Sequence, residues 1–113
     1  MHELSVAMGI VNIAEKEIKK ANKKTVELIE LEIGSLSGVE LDSLEYVWEI
    51  AVKDTVLENA EKKIDFIEAI ANCLECNTEF KVEKVYDNCP KCKSYFKDII
   101  KGKELRVKSL EVS

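Results

Sequence analysis

The sequence lacks several features that would assign its class at once. No apolar run approaches the ~18 residues that a membrane-spanning helix requires. The N-terminus has no basic segment followed by an apolar one, so we expect no secretion signal. Low-complexity segments and internal repeats are missing as well, apart from one doubled cysteine motif. We therefore expect an ordinary globular protein in the cytoplasm, where thiols stay reduced.

Positive charge is not in excess either. Charged residues make up 35% of the 113 residues, but the formal net charge is -5 and the two signs are interspersed. Nucleic-acid binding requires clustered positive charge, so the acidic balance counts against a nucleic-acid partner. The length fits one compact domain with a small appended module.

All four cysteines fall into two Cys-x-x-Cys pairs separated by twelve residues. Cys73 and Cys76 form the first pair, and Cys89 and Cys92 form the second, where Pro90 presets the turn. Two such knuckles facing each other offer four thiolates to one tetrahedral Zn²⁺. Because four protein ligands leave no position for water, the pattern predicts a structural zinc site without hydrolytic activity.

Three other interpretations of the cysteines compete with this one. A redox dithiol requires a Cys-x-x-Cys pair that opens a helix beside a βαβ unit, a context that neither pair has. A zinc-dependent hydrolase requires an open zinc position beside a Glu or His. The main alternative is a zinc-ribbon nucleic-acid-binding or transcription-associated module, because lysines surround the pairs. These lysines are Lys81, Lys84, Lys91, Lys93 and Lys97.

Hydrophobic periodicity predicts an α+β fold. A helix is predicted over 4–22, a strand over 25–33, a second helix from Asp42 or Ser43, a strand over 63–71 and a final strand over 105–112. The predicted buried face of the first helix is Leu4, Met8, Val11, Ala14, Ile18 and Ala21. The second helix is predicted to bury Leu44, Trp48, Ala51 and Val52.

Strand-like sequence flanks the cysteine pairs on both sides, which indicates an inserted module. We predict that residues 1–71 and 102–113 form a domain of two helices and a three-stranded sheet. Residues 72–101 are predicted to form a zinc-ribbon, rubredoxin-like module within it. Phe80 and Val82 alternate with charged residues there, as in a short hairpin strand.

The N-terminus is a second candidate metal site, because His2 is the only histidine. The amine of Met1, the backbone nitrogen of His2 and its imidazole can close two fused chelate rings in one plane. Such a donor set favours square-planar Ni²⁺ or Cu²⁺ over tetrahedral zinc. A carboxylate from Glu3, Glu40 or Asp42 would add a donor. The alternative is a terminal histidine that is simply solvated.

Several motifs together resemble the HypA/HybF family of hydrogenase maturation proteins, and the resemblance covers the whole chain. Besides the cysteine pairs, they are Met1-His2-Glu3-Leu4-Ser5, Ile33-Gly34, Thr55-x-Leu57-Glu58-x-Ala60, Gly102-x-Glu104-Leu105 and Ser109-Leu110-Glu111-Val112. A zinc ribbon alone is common. Its combination with a Met-His-Glu start is specific.

The resemblance implies a nickel metallochaperone that works with the GTPase HypB to load the large subunit of [NiFe]-hydrogenase. By this resemblance His2 is the nickel ligand, Glu3 supports or joins it, and Glu40 supplies another carboxylate. The four cysteines match the family's zinc ligands. This chain lacks the histidines that flank the cysteine pairs in some members. We therefore expect no pH switch through imidazole at the zinc, and the residues give no support to the role at urease that some members have.

Overall fold

The structure is a computed structural model, and it describes residues 3–113. Met1 and His2 lie outside the described residues. Two helices and six strands follow one another in this order: α1 (Glu3–Ala21), β1 (Val26–Gly34), α2 (Leu41–Val52), β2 (Glu61–Ile67), β3 (Ile70–Cys73), β4 (Glu79–Lys81), β5 (Lys97–Lys101) and β6 (Leu105–Val112). The predicted α+β class, with two helices and small sheets, is confirmed.

The chain forms two compact units. The helical unit contains the described residues up to Leu31, Val39–Ile64 and Val107–Ser113. The cysteine unit contains Glu32–Gly38 and Asp65–Arg106. Among residues 3–113, neither helix is long and apolar enough to cross a bilayer.

Helix α1 carries charges that suit its dipole and ends in a hydrogen-bonded cap. Glu3 lies in its first turn, and Lys19 and Lys20 lie in its last turn. Asn22 follows with a φ of 56°, a left-handed conformation that asparagine tolerates. The Asn22 amide donates to the carbonyl of Lys19, and the Lys23 amide donates to the carbonyl of Ile18. These two bonds form a Schellman motif, which satisfies carbonyls at the end of the helix.

The buried face of α1 differs from the prediction. The buried residues are Ala7, Ile10, Ala14 and Ile18, whereas Leu4 and Met8 are 44% and 57% exposed. Helix α1 packs against α2, and two alanines on its buried face allow close approach. Apolar periodicity gives large side chains more weight than alanine, so the prediction followed Leu4 and Met8.

Helix α2 begins at Leu41, one residue before the earlier of the two predicted starts. Its N-cap is Glu40, whose carboxylate accepts hydrogen bonds from the Asp42 amide (3.1 Å) and from the Ser43 hydroxyl (3.0 Å). Leu44, Trp48 and Val52 are buried as predicted, while Ala51 is only half-buried. The prediction favoured Asp42 or Ser43 because aspartate and serine are common N-cap residues and glutamate is not. The longer side chain of Glu40 reaches the donors at the start of the helix all the same.

The strands form two three-stranded sheets, with the orders β2-β1-β6 and β4-β3-β5. In the second sheet β3 pairs antiparallel with both neighbours, and a bulge lies between Ile70 and Ala71. The prediction of one continuous strand over 63–71 is wrong, because the chain leaves β2 at Ile67 and enters β3 at Ile70.

The break at Glu68 and Ala69 coincides with a very close backbone approach in the cysteine unit. A Cβ added at Gly102, whose φ is 115°, would lie 2.3 Å from the Cα of Ala69. A Cβ added at Gly34 would lie 2.0 Å from the carbonyl oxygen of Gly102. The amide of Gly34 donates to the Glu104 carbonyl at 2.7 Å, which holds the segments at this distance. Only glycine fits at both positions.

Replacing Gly34 with alanine is therefore expected to lower the free energy of unfolding by about 3 kcal/mol, because the methyl group meets backbone atoms that cannot rotate away. Urea denaturation followed by circular dichroism measures the loss. Gly9 provides the matched control, since its added Cβ meets nothing within 4 Å. Gly9→Ala in the middle of α1 is expected to raise stability by up to about 1 kcal/mol. Equal effects at the two positions would show that the close approach is unimportant.

Candidate metal centre

The four cysteines converge in the cysteine unit. Their sulfur atoms all lie within 4.8 Å of one another. The Sγ atoms of Cys73 and Cys92 are 3.5 Å apart, and those of Cys76 and Cys89 are 3.6 Å apart. Four sulfurs placed about 2.3 Å from one tetrahedral Zn²⁺ lie about 3.8 Å from each other. The cluster therefore has the size and donor set that a Cys₄ zinc site requires.

Two loops of the same conformation present the sulfurs. In the first, the Cys73 amide donates to the Thr78 carbonyl and the Asn77 amide donates to the Cys73 carbonyl, both at 2.9 Å. In the second, the Cys89 amide donates to the Ser94 carbonyl and the Lys93 amide donates to the Cys89 carbonyl, again at 2.9 Å. Asn77 and Lys93 both have a positive φ, at 64° and 66°. The equivalence of the loops explains how both pairs aim at one centre.

Thr78 and Ser94 are site residues that the sequence analysis missed. Each follows the second cysteine of its pair by two positions, so the repeated pattern Cys-x-x-Cys-x-Thr/Ser could have revealed them. The Oγ1 atom of Thr78 lies 3.2 Å from the sulfur of Cys76. The Ser94 hydroxyl accepts a hydrogen bond from the Phe96 amide at 3.1 Å and so fixes the exit of the second loop.

The surroundings of the sulfurs shift the pKa values of two cysteines in opposite directions. The Thr78 side chain, and then its backbone amide, lower the pKa of Cys76 from 9.0 to about 6. The Ser94 amide lowers the pKa of Cys92, but loss of hydration and the neighbouring thiols outweigh it and raise this pKa to about 12. One thiolate forms readily, whereas four adjacent thiolates repel one another without a cation. This electrostatic arrangement suits a divalent metal.

The two pairs also lie in the wrong context for a redox dithiol. Cys73 is the last residue of β3, and Cys89 directly precedes the turn of residues 90–92, so neither pair opens a helix. Cys73 and Cys89 are fully buried in a cluster with Ala69, Ala71, Phe80 and Val82. The apolar surroundings protect the sulfurs of these two cysteines, while Cys76 is half-buried and Cys92 is exposed.

The candidate nickel residues are only partly within the described residues. Met1 and His2 are outside them, and Glu3 opens α1. The Glu40 amide donates to the Oε2 atom of Glu3 at 3.1 Å, so the structure brings these two acidic residues together across 37 positions. Asp42 uses its amide in the Glu40 cap. A cleft of about 640 Å³ opens beside them, lined by Glu3, Leu4, Ser5, Asp42, Ser43, Tyr46 and Val47.

The fold and the cysteine cluster define a small α+β protein with four clustered cysteines that suit a zinc site. Comparison with known proteins identifies the family. The family described as "Hydrogenase/urease nickel incorporation, metallochaperone, hypA" matches residues 1–112. The chain belongs to this HypA family of nickel metallochaperones for hydrogenase maturation, as its motifs predicted.

The similarity to individual relatives extends over nearly the whole length of each chain. The chain is 42% identical to hydrogenase maturation factor HypA of Francisella philomiragia, over 97% of each chain. It is 44% identical to the HypA of Parabacteroides distasonis, over 99% of this chain and 97% of the relative. The solution structure of the Ni metallochaperone HypA from Helicobacter pylori is similar, with a TM-score of 0.70 and 28% identity, over 99% of this chain and 97% of that one.

Proposed function

We propose that this chain is a nickel carrier that binds Ni²⁺ through its N-terminus and delivers it to the large subunit of [NiFe]-hydrogenase. The GTPase HypB is the proposed partner in this step. The observation that carries the proposal is the match to a nickel-incorporation family over residues 1–112, in a chain that supplies the Met-His-Glu start. The function is binding and transfer, without bond-making catalysis, so the protein is not an enzyme.

The proposed nickel ligands are the amine of Met1 and the backbone nitrogen and imidazole of His2. Glu3 is the favoured carboxylate, because it is the next residue and lies beside an open cleft. Glu40 is the second carboxylate, and both of its oxygens accept hydrogen bonds at the start of α2, just as Oε2 of Glu3 accepts one from the Glu40 amide. Glu40 would have to give up one of these bonds to reach the metal. An open site at a chain end supports transfer, because an incoming ligand can reach the ion stepwise.

The second metal is proposed to be a structural Zn²⁺ held by Cys73, Cys76, Cys89 and Cys92. Zinc supplies a crosslink between the two knuckles, and the four sulfurs leave it no open position. The division into a nickel domain (1–71 and 102–113) and a zinc domain (72–101) stays a prediction. We propose the cytoplasm as the compartment, because the chemistry needs reduced thiols.

The experiment that tests the nickel site is calorimetry on untagged protein and on a variant with two extra residues, Gly-Ser, ahead of Met1. The extension converts the amine to an amide, which removes one donor and displaces the chelate. We expect the nickel affinity to fall by at least about a hundredfold, because even the loss of an outer-shell partner costs a metal site about ten- to a hundredfold.

The matched control carries the same two residues after Ser113 and is expected to bind nickel like the unmodified chain. Zinc content should be equal in all three proteins, since the change lies outside the cysteine unit. Unchanged affinity in the N-terminally extended protein would remove the amine from the ligand set.

A further inference from the structure

The second zinc knuckle carries charge of the opposite sign to the chain as a whole. Residues 88–97 contain three lysines and no aspartate or glutamate, while the chain has a net charge of -5. Lys91 and Lys93 flank the metal ligand Cys92 and are exposed. Lys97 is the first residue of β5 and is half-buried. Lys91 and Lys93 therefore make the knuckle locally positive.

Three large apolar side chains are exposed beside these lysines. Leu74, Tyr95 and Phe96 are 65%, 66% and 69% exposed. The Leu74 amide donates to the Phe96 carbonyl at 3.0 Å, directly after the last pair of the β3–β5 ladder, Cys73 with Lys97. Leu74 is the first residue of the turn that follows β3, and Phe96 directly precedes β5. The hydrogen bond therefore joins the first knuckle to the exit of the second, and it places exposed Leu74 and Phe96 on neighbouring parts of the surface.

We call this surface the knuckle face and define it as Leu74, Lys91, Lys93, Tyr95 and Phe96. It is built on a rigid frame, because each knuckle is closed by the backbone hydrogen bonds that aim its sulfurs at one centre. A preorganised surface loses little entropy when it binds. Exposed aromatic side chains are typical of the energetic centres of protein interfaces, and flanking charges select the partner.

The charge pattern decides between two classes of partner. Nucleic-acid affinity depends on the number of phosphates neutralised, and two exposed lysines on an acidic chain neutralise too few. A protein surface needs only one or two carboxylates beside an apolar anchor. Residues 73–76 and 88–97 contain a single carboxylate, Glu75, which follows Leu74 in the chain. Its charge repels carboxylates of a partner, so it favours a partner whose acidic residues meet the lysines instead.

We propose that the knuckle face is the docking site for an acidic protein surface, in which an apolar side chain covers Leu74 and Phe96 while carboxylates meet Lys91 and Lys93. Docking then uses the cysteine unit, whereas the proposed nickel ligands belong to the start of the chain. The proposal stands independently of the nickel site.

The test uses the zinc-loaded full chain, ¹⁵N-labelled, and a synthetic twelve-residue peptide with a central Leu-Phe pair flanked by aspartates and glutamates. Two other probes are the same peptide with lysine at every acidic position and a single-stranded oligothymidine of twelve nucleotides. We expect the acidic peptide alone to shift the amides of residues 73–76 and 89–97 in a saturable way. The affinity should fall as salt is raised, because the charges are exposed.

Two double variants locate the binding. Lys91→Glu with Lys93→Glu is expected to weaken the acidic peptide at least tenfold, and Leu74→Ser with Phe96→Ser should do the same without the change in salt dependence. The matched control is Lys19→Glu with Lys20→Glu, an equal charge change at two exposed positions of α1, which should bind nearly as well as the unmodified chain. Zinc content is measured for every variant.

Any one of four outcomes would overturn the proposal. The first is no saturable shift with the acidic peptide at millimolar concentration. The second is equal loss of binding in the α1 control, which would show a general charge effect. The third is preferential binding of oligothymidine at the same amides, which would make the knuckle face a nucleic-acid surface. If the variant Lys91→Glu with Lys93→Glu loses its zinc, the zinc-retaining variant Leu74→Ser with Phe96→Ser decides the result. Full binding of the acidic peptide by that serine variant contradicts the proposal.

Discussion

Replacing Cys73 with alanine is expected to abolish stoichiometric zinc binding and to unfold the cysteine unit locally. Cys73 is fully buried, and its sulfur lies 3.5 Å from that of Cys92. A structural zinc site contributes on the order of 10 kcal/mol or more to folding, which exceeds what so small an apolar cluster supplies. Zinc measured by plasma mass spectrometry should fall from one per chain to nearly none. Hydrogen exchange should speed up across residues 70–101.

A control must separate loss of the metal from loss of the buried sulfur. Unmodified protein stripped of zinc by a chelator keeps every side chain, so it should show the same fast exchange over 70–101. The amides of α1 and α2 belong to the other unit and should keep their protection in both samples. Normal protection of 70–101 in the zinc-free chain would mean that the apolar cluster folds without metal.

The second large effect is expected from His2→Ala, which should abolish stoichiometric nickel binding and leave one zinc per chain. The imidazole closes the second ring of the proposed chelate, and a chelate without it has lost one of its neutral nitrogen donors. No other histidine can take its place, because His2 is the only one in the chain. Calorimetry with Ni²⁺ gives the stoichiometry, and mass spectrometry gives the zinc content.

Glu3→Gln provides the graded comparison for this variant. The amide oxygen of glutamine can still accept the hydrogen bond from the Glu40 amide, so the start of α2 should stay intact while the negative charge is lost. We expect weaker nickel binding at unchanged stoichiometry. If His2→Ala retains one tightly bound nickel, the metal is held elsewhere and the proposed ligand set is wrong.

Local signals in the sequence were sufficient for the main elements. Helix α1 was predicted over 4–22 and spans Glu3–Ala21, and β1 was predicted over 25–33 and spans Val26–Gly34. Both are long, strongly periodic segments with clear ends. The cysteine spacing likewise predicted a four-sulfur cluster, which the structure confirms. In each case the information lies within a few neighbouring residues.

Long-range contacts explain the errors. The strand predicted over 63–71 is broken at Ala69, where the backbone of Gly102 approaches from 33 positions away in the chain. The N-cap of α2 moved to Glu40, whose amide is in turn bound by Glu3 from the start of α1. Neither contact leaves a mark in the local pattern of apolar residues.

By itself, the sequence determined which donor atoms this protein can offer to a metal, because donor atoms and their spacing are written in residue identity. Soft sulfur in two Cys-x-x-Cys pairs predicts zinc, and the nitrogen donors of Met1 and His2 predict a square-planar ion, Ni²⁺ or Cu²⁺. Only the tertiary structure decided which residues surround those donors. It brought Glu3 against Glu40 and placed Leu74 beside Phe96, since such pairs depend on how helices and strands pack after they form.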